Sequence, residues 1–61
     1  MERIEILLEL AKNFGKIMTL EQALEASARI SDTEEVLEKE GHEYNQISLI
    51  KEIGQQILDE I

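Results

Sequence analysis

Apolar residues recur along this chain at helical spacing, in blocks separated by glycine or by capping residues. In the first block Ile4, Leu7, Leu8, Ala11 and Phe14 fall at i, i+3, i+4, i+7 and i+10. That is one face of a helix over about 2–14, and Ile6 and Leu10 widen it. Gly15 stands where a left-handed residue ends such a helix. Thr19-Leu20-Glu21-Gln22 then reads as a capping box, and Leu20, Ala23, Leu24, Ser27 and Ile30 form a second stripe over about 20–30. Ser31-Asp32-Thr33-Glu34 repeats the capping signature, which predicts a third, short helix over about 32–40 that stops at Gly41. The alternative is one uninterrupted helix over 20–40, because no Pro or Gly intervenes and Ala26, Ile30, Thr33 and Leu37 keep a 4-3-4 rhythm. A break or kink near Ser31 is the favoured reading.

The last block, about 45–60, carries Ile47, Ile50, Gly54, Ile57 and Ile61 at 3-4-3-4 spacing, flanked by Leu49, Ile53 and Leu58, with Asn45 as its N-cap. Gly54 occupies a seam position. Either another backbone or Phe14 approaches closely there, or the helix tolerates the glycine at a cost of about 1 kcal/mol. The chain has no strict apolar/polar alternation and no Asn-Gly or Asp-Gly hairpin signal. The expected fold is therefore all-α: one domain, 1–61, a small bundle of three or four helices.

Size changes the picture. A chain of 7.0 kDa buries only about 60% of its unfolded surface when it folds alone. With no Cys for a disulfide and no metal motif, association is the remaining stabiliser. Completion of the bundle by dimerisation is expected, with Leu7, Phe14, Ile50, Gly54, Ile57 and Ile61 as the seam between two copies.

Charge is uneven. Residues 1–30 carry five acids and four bases, whereas 31–61 carry nine acids and two bases. Six of those nine, Asp32, Glu34, Glu35, Glu38, Glu40 and Glu43, lie within twelve residues. Acids near a helix N-terminus suit its dipole, which accounts for Asp32, Glu34 and Glu35 if a helix starts at 32. It does not account for Glu38, Glu40 and Glu43. The segment 32–43 is therefore the candidate contact face for a partner with a basic surface.

Other chemistries find little support. Glu38, His42 and Glu43 offer ligand atoms, but Gly41 breaks the helical register between Glu38 and His42, and no metal-binding motif is present. Ser27, Ser31 and Ser48 lack a nucleophile setting, and no phosphate-cradling glycine loop occurs. No cofactor and no enzymatic activity are expected. Thr19 to Leu37 has the outline of a helix-turn-helix, yet its second helix is acidic and would repel phosphates, so no direct nucleic-acid contact is expected. No apolar run approaches the ~20 residues of a membrane span, and glutamates interrupt the N-terminal apolar stretch that a secretory leader would need. The expected setting is the cytoplasm.

Two short stretches resemble known motifs. Ser48-Leu49, leading into a helix in an acidic helical chain, is similar to the modified-serine segment of acyl carrier proteins, but Ile47 stands where those proteins carry Asp. Gln56-Ile57-Leu58-Asp59-Glu60-Ile61 resembles the Ser-Gln-Glu-Leu-Asp motif of small helical-hairpin phosphatases that act on sporulation response regulators, with Gln55 replacing the Ser and Ile57 the Glu. This second likeness, over about seven residues, implies Gln56 and Asp59 as the residues to mutate in a search for activity. Neither likeness assigns the chain to a family. The reading adopted is a small, acidic, non-enzymatic interaction module (a regulator or adaptor), with a structural assembly subunit as the alternative and a helix-turn-helix-like transcriptional regulator as a less favoured one.

Overall fold

A computed structural model describes residues 2–61 and contains three helices: α1 (Arg3–Asn13), α2 (Leu20–Lys39) and α3 (Gln46–Glu60). Their ends follow from local chemistry. The Thr19 hydroxyl accepts from the Gln22 amide at 3.1 Å while Gln22 Oε1 accepts from the Thr19 amide at 2.8 Å, closing the capping box that starts α2. Asn45 Oδ1 accepts from the Ser48 amide at 3.0 Å and starts α3. Gly15 and Gly41, at φ 69° and 73°, end α1 and α2 in the same way. In both, the residue after the glycine donates back five positions (Lys16 to Ala11, His42 to Leu37) and the glycine itself donates to Lys12 or Glu38.

The break expected near Ser31 does not occur: α2 runs unbroken from Leu20 to Lys39. The side chains that would have capped a new helix are engaged elsewhere. Thr33 Oγ1 donates to the Arg29 carbonyl at 2.9 Å, Ser31 Oγ accepts from Arg3 at 2.7 Å, and Glu34 pairs with Arg3 at 2.6 Å. Meanwhile Ala23, Ala26 and Ile30 are buried on one stripe that Leu37 continues, so a kink would lift half the helix off the core.

Each helix packs on the other two. Arg3, Glu34 and Gln46 meet at one end of the molecule, and Lys16 Nζ donates to the Leu58 carbonyl at the other. Hence α1 and α3 run parallel and α2 runs against both, in a body 35 × 19 × 17 Å. α2 contributes small core residues, Ala23 and Ala26, and α3 contributes Ile50, Ile53, Ile57 and Leu58. Small residues facing large ones let α2 and α3 approach closely and interdigitate. No buried side-chain nitrogen or oxygen among the described residues lacks a partner.

The six residues read as a seam between copies separate into two groups. Leu7, Ile50, Gly54 and Ile57 are buried within the single chain's own core, where they are not available to a second copy. Phe14 and Ile61 are about half exposed. Phe14 leaves the core because it is the C-cap of α1, past the last full turn of the stripe it was assigned to. Gly54 is a site of close approach, but by side chains of α1 rather than by Phe14 or a backbone. A Cβ placed there would lie 2.8 Å from Leu10 Cδ2 and 2.9 Å from Leu7 Cδ2.

Candidate interaction surface

The acidic segment occupies the end of the molecule where α2 stops and α3 begins, and its six members have different surroundings. Glu34 is drawn inward. Arg3 reaches across from α1 to give Glu34 Oε1 its Nη2 and to give Nη1 to the Ser27 carbonyl at 3.2 Å and to Ser31 Oγ. Tyr44 and Gln46 donate to Glu34 Oε2 at 3.3 and 3.5 Å. With its side chain only 14% exposed, Glu34 ties all three helices together and leaves the contact face. Sequence reasoning missed Arg3, the centre of this network. Its one available signal is that it is the sole base in the first turn of its helix, among acidic and apolar residues.

Glu38 accepts from the Tyr44 hydroxyl at 3.0 Å. Glu35 pairs with Lys39 one turn on at 3.4 Å, and Glu40 lies 3.4 Å from His42 Nε2. Both contacts are solvated and contribute little to stability. Asp32 lies on the groove side with Arg29 and Gln56, and Glu43 is exposed in the turn. At about 100° per residue, Asp32 and Glu34 point to nearly opposite sides of α2, so the six do not share one face. Glu35, Glu38, Glu40 and Glu43 form the exposed acidic end.

Tyr44 records the electrostatics of that end. Its hydroxyl is pushed up to about 12, first by donating to the Glu38 carboxylate, then by partial burial and by the charge of Glu34. Ionisation would set a phenolate against two carboxylates. The folded group thus holds its proton more tightly than the unfolded one. Its contribution is intact below pH 10.0 and is lost as pH rises from there through about 12. Tyr44 is the only tyrosine and there is no Trp, so absorbance at 295 nm reports it alone. The expected midpoint is near 12 in the parent and lower in Glu38→Gln; a parent midpoint near 10 would show that the hydroxyl is not held by the acids.

Val36 is exposed within the acidic segment, but the other large exposed apolar side chains lie elsewhere. Leu8 and Ile17, the latter 86% exposed, border a shallow depression where the chain turns from α1 towards α2, and Leu20 and Leu24 are exposed one turn apart at the start of α2. Ile47 is exposed beside Ile6 and Leu10 in a groove between α1 and α3. Among the described residues no group of three His, Cys, Asp or Glu side chains is placed to hold a metal, and no helix is long and apolar enough to cross a membrane. Of the residues in the phosphatase-like stretch, Gln56 is exposed on α3 and Asp59 accepts from Gln55 at 2.8 Å.

No family model matches the chain, and neither a curated protein nor a solved structure shows significant similarity to it.

Proposed function

We propose that this chain is a non-enzymatic protein–protein interaction module of the cytoplasm, which self-associates through exposed apolar side chains and presents its acidic end to a partner with a basic surface. The observation that carries the reading is the polarity of α2. In an unbroken helix, Asp32, Glu34, Glu35 and Glu38 all lie in the C-terminal half and Glu40 is the C-cap. The dipole is negative at that end, and in the last turn, which holds Glu38 and the C-cap Glu40, an exposed acid costs about 0.3–1 kcal/mol. The first turn, where acids would help, has only Glu21. Folding accounts for Glu34 through Arg3 and for Glu38 through Tyr44; it supplies little reason for Glu35, Glu40 and Glu43, for which an electrostatic docking role supplies one.

Two consequences separate the docking role from mere solubility. Glu35→Gln/Glu40→Gln is expected to stabilise the fold by no more than about 0.5 kcal/mol, because the dipole relief at Glu40 is partly offset by loss of the Lys39 pair, in urea melts followed by circular dichroism. The same variant is expected to lose proteins that the immobilised parent retains at low salt and releases at high salt. Undiminished retention by the variant would remove the acidic end from the contact. A structural assembly subunit, the second reading, predicts that the variant assembles and behaves as the parent does.

A further inference from the structure

We infer that the outer face formed by α1 and α2 docks onto the same face of a second copy, about a two-fold axis that runs across both helices at the level of Leu8 and Leu24. The inference rests on the self-association part of the proposed function and specifies its surface and symmetry.

The two leucines stand at one height. Arg3 bonds Ser27 and Ser31, which fixes the antiparallel register of α1 and α2. Leu8 lies five residues up α1 from Arg3, about 7.5 Å at a rise of about 1.5 Å per residue. Leu24 lies three residues back from Ser27 and seven from Ser31, about 4.5–10.5 Å in the same direction. They also share a face. Leu8 borders the depression where the chain turns from α1 towards α2, and Leu24 belongs to the row Leu20–Leu24–Ser27–Ser31 that edges α1. Both are exposed, at 40% and 55%, and each pair of helices in a three-helix bundle has one outward border.

About that level the surface is complementary to itself. On α1, Glu5 and Lys12 flank Leu8 at i−3 and i+4; both are exposed, and neither has an ion-pair partner among the described residues. A two-fold across the helices sets each Glu5 against the other copy's Lys12, giving two ion pairs that one chain cannot make. On α2, exposed Leu20 and Ala28 flank Leu24 at i−4 and i+4, so the same rotation places the large Leu20 over the small Ala28 of the other copy. Opposite charges and unequal sizes at similar distances on either side of one level suit an isologous contact. A different protein would have no need of that symmetry.

The test is absolute solution mass by light scattering over a hundredfold concentration range, with circular dichroism to confirm folding. The parent is expected to be a dimer. Lys12→Glu, which sets acid against acid twice, weakens the dimer about tenfold, and Glu5→Lys/Lys12→Glu restores it. Leu24→Glu, which places two charges on the axis, weakens it at least about a hundredfold. Ile47→Glu, on the α1–α3 groove, leaves the mass unchanged. A folded parent that stays monomeric throughout would overturn the self-association reading and this interface together. A parent dimer that survives Leu24→Glu, that yields to Ile47→Glu, or that the double swap does not restore would overturn the interface alone.

Discussion

Gly54→Leu is expected to abolish the cooperative thermal transition of the bundle. The first added carbon already meets Leu10 Cδ2 at 2.8 Å and Leu7 Cδ2 at 2.9 Å, where α1 lies against α3. Both contacts are ends of flexible side chains, but they differ in freedom. Leu10 is partly exposed at the groove and can swing outward, whereas Leu7 is fully enclosed. For Gly54→Ala, overpacking of about 1–3 kcal/mol is set against a gain of about 1 kcal/mol in helix propensity, a net loss of up to about 2 kcal/mol. Leucine brings three further carbons into the same space, and α1 must then separate from α3. Circular dichroism at 222 nm during heating distinguishes the two variants. Leu10→Ala in the Gly54→Ala background should recover part of the loss, because the two sites compete for one volume. If Gly54→Leu melted like the parent, α1 would not sit on α3 as described.

The second large effect is a contrast between two residues of one sequence stripe. Leu7→Ala should cost about 2–5 kcal/mol, since Leu7 is completely buried between the helices and its removal leaves a cavity. A domain of this length has about 3–9 kcal/mol in all, so this one change removes a large share of the whole. Phe14→Ala, although it removes more atoms, should cost less than about 1 kcal/mol, because the ring is 52% exposed beyond the end of α1. Urea denaturation of the pair measures the difference directly. Equal losses would mean that Phe14 is packed and that the end of α1 has been misplaced.

That contrast also marks where the sequence was legible. Local rules served well: Thr19-Gln22, Asn45, Gly15 and Gly41 each punctuate a helix where their chemistry says they should, because caps depend on residues a few positions apart. They misled at Ser31-Asp32-Thr33-Glu34, where the same signature is present but Arg3 of α1 takes up two of the four side chains. A cap competes with whatever tertiary structure offers, and no local pattern discloses a partner about thirty positions away. The apolar periodicity located α3 and its buried stripe, but could not say whether Leu7, Ile50, Gly54 and Ile57 meet a second chain or their own. Periodicity reports that a face is covered and not by what. The acidic segment was visible in composition, whereas its division into an inward Glu34 and an outward remainder depended on the reach of Arg3, Tyr44 and Gln46.

An odd number of antiparallel passes has a geometric outcome of its own. Glu2 and Ile61 lie at opposite poles of a body 35 Å long, unlike the neighbouring ends of a helical hairpin or a four-helix bundle. Segments joined before the first helix and after the last therefore leave in opposite directions, held apart by a rigid strut of three helices. Two such struts crossed by a transverse two-fold would present one leading and one trailing end at each pole. The pair would then serve as a spacer of fixed length that looks the same from either side.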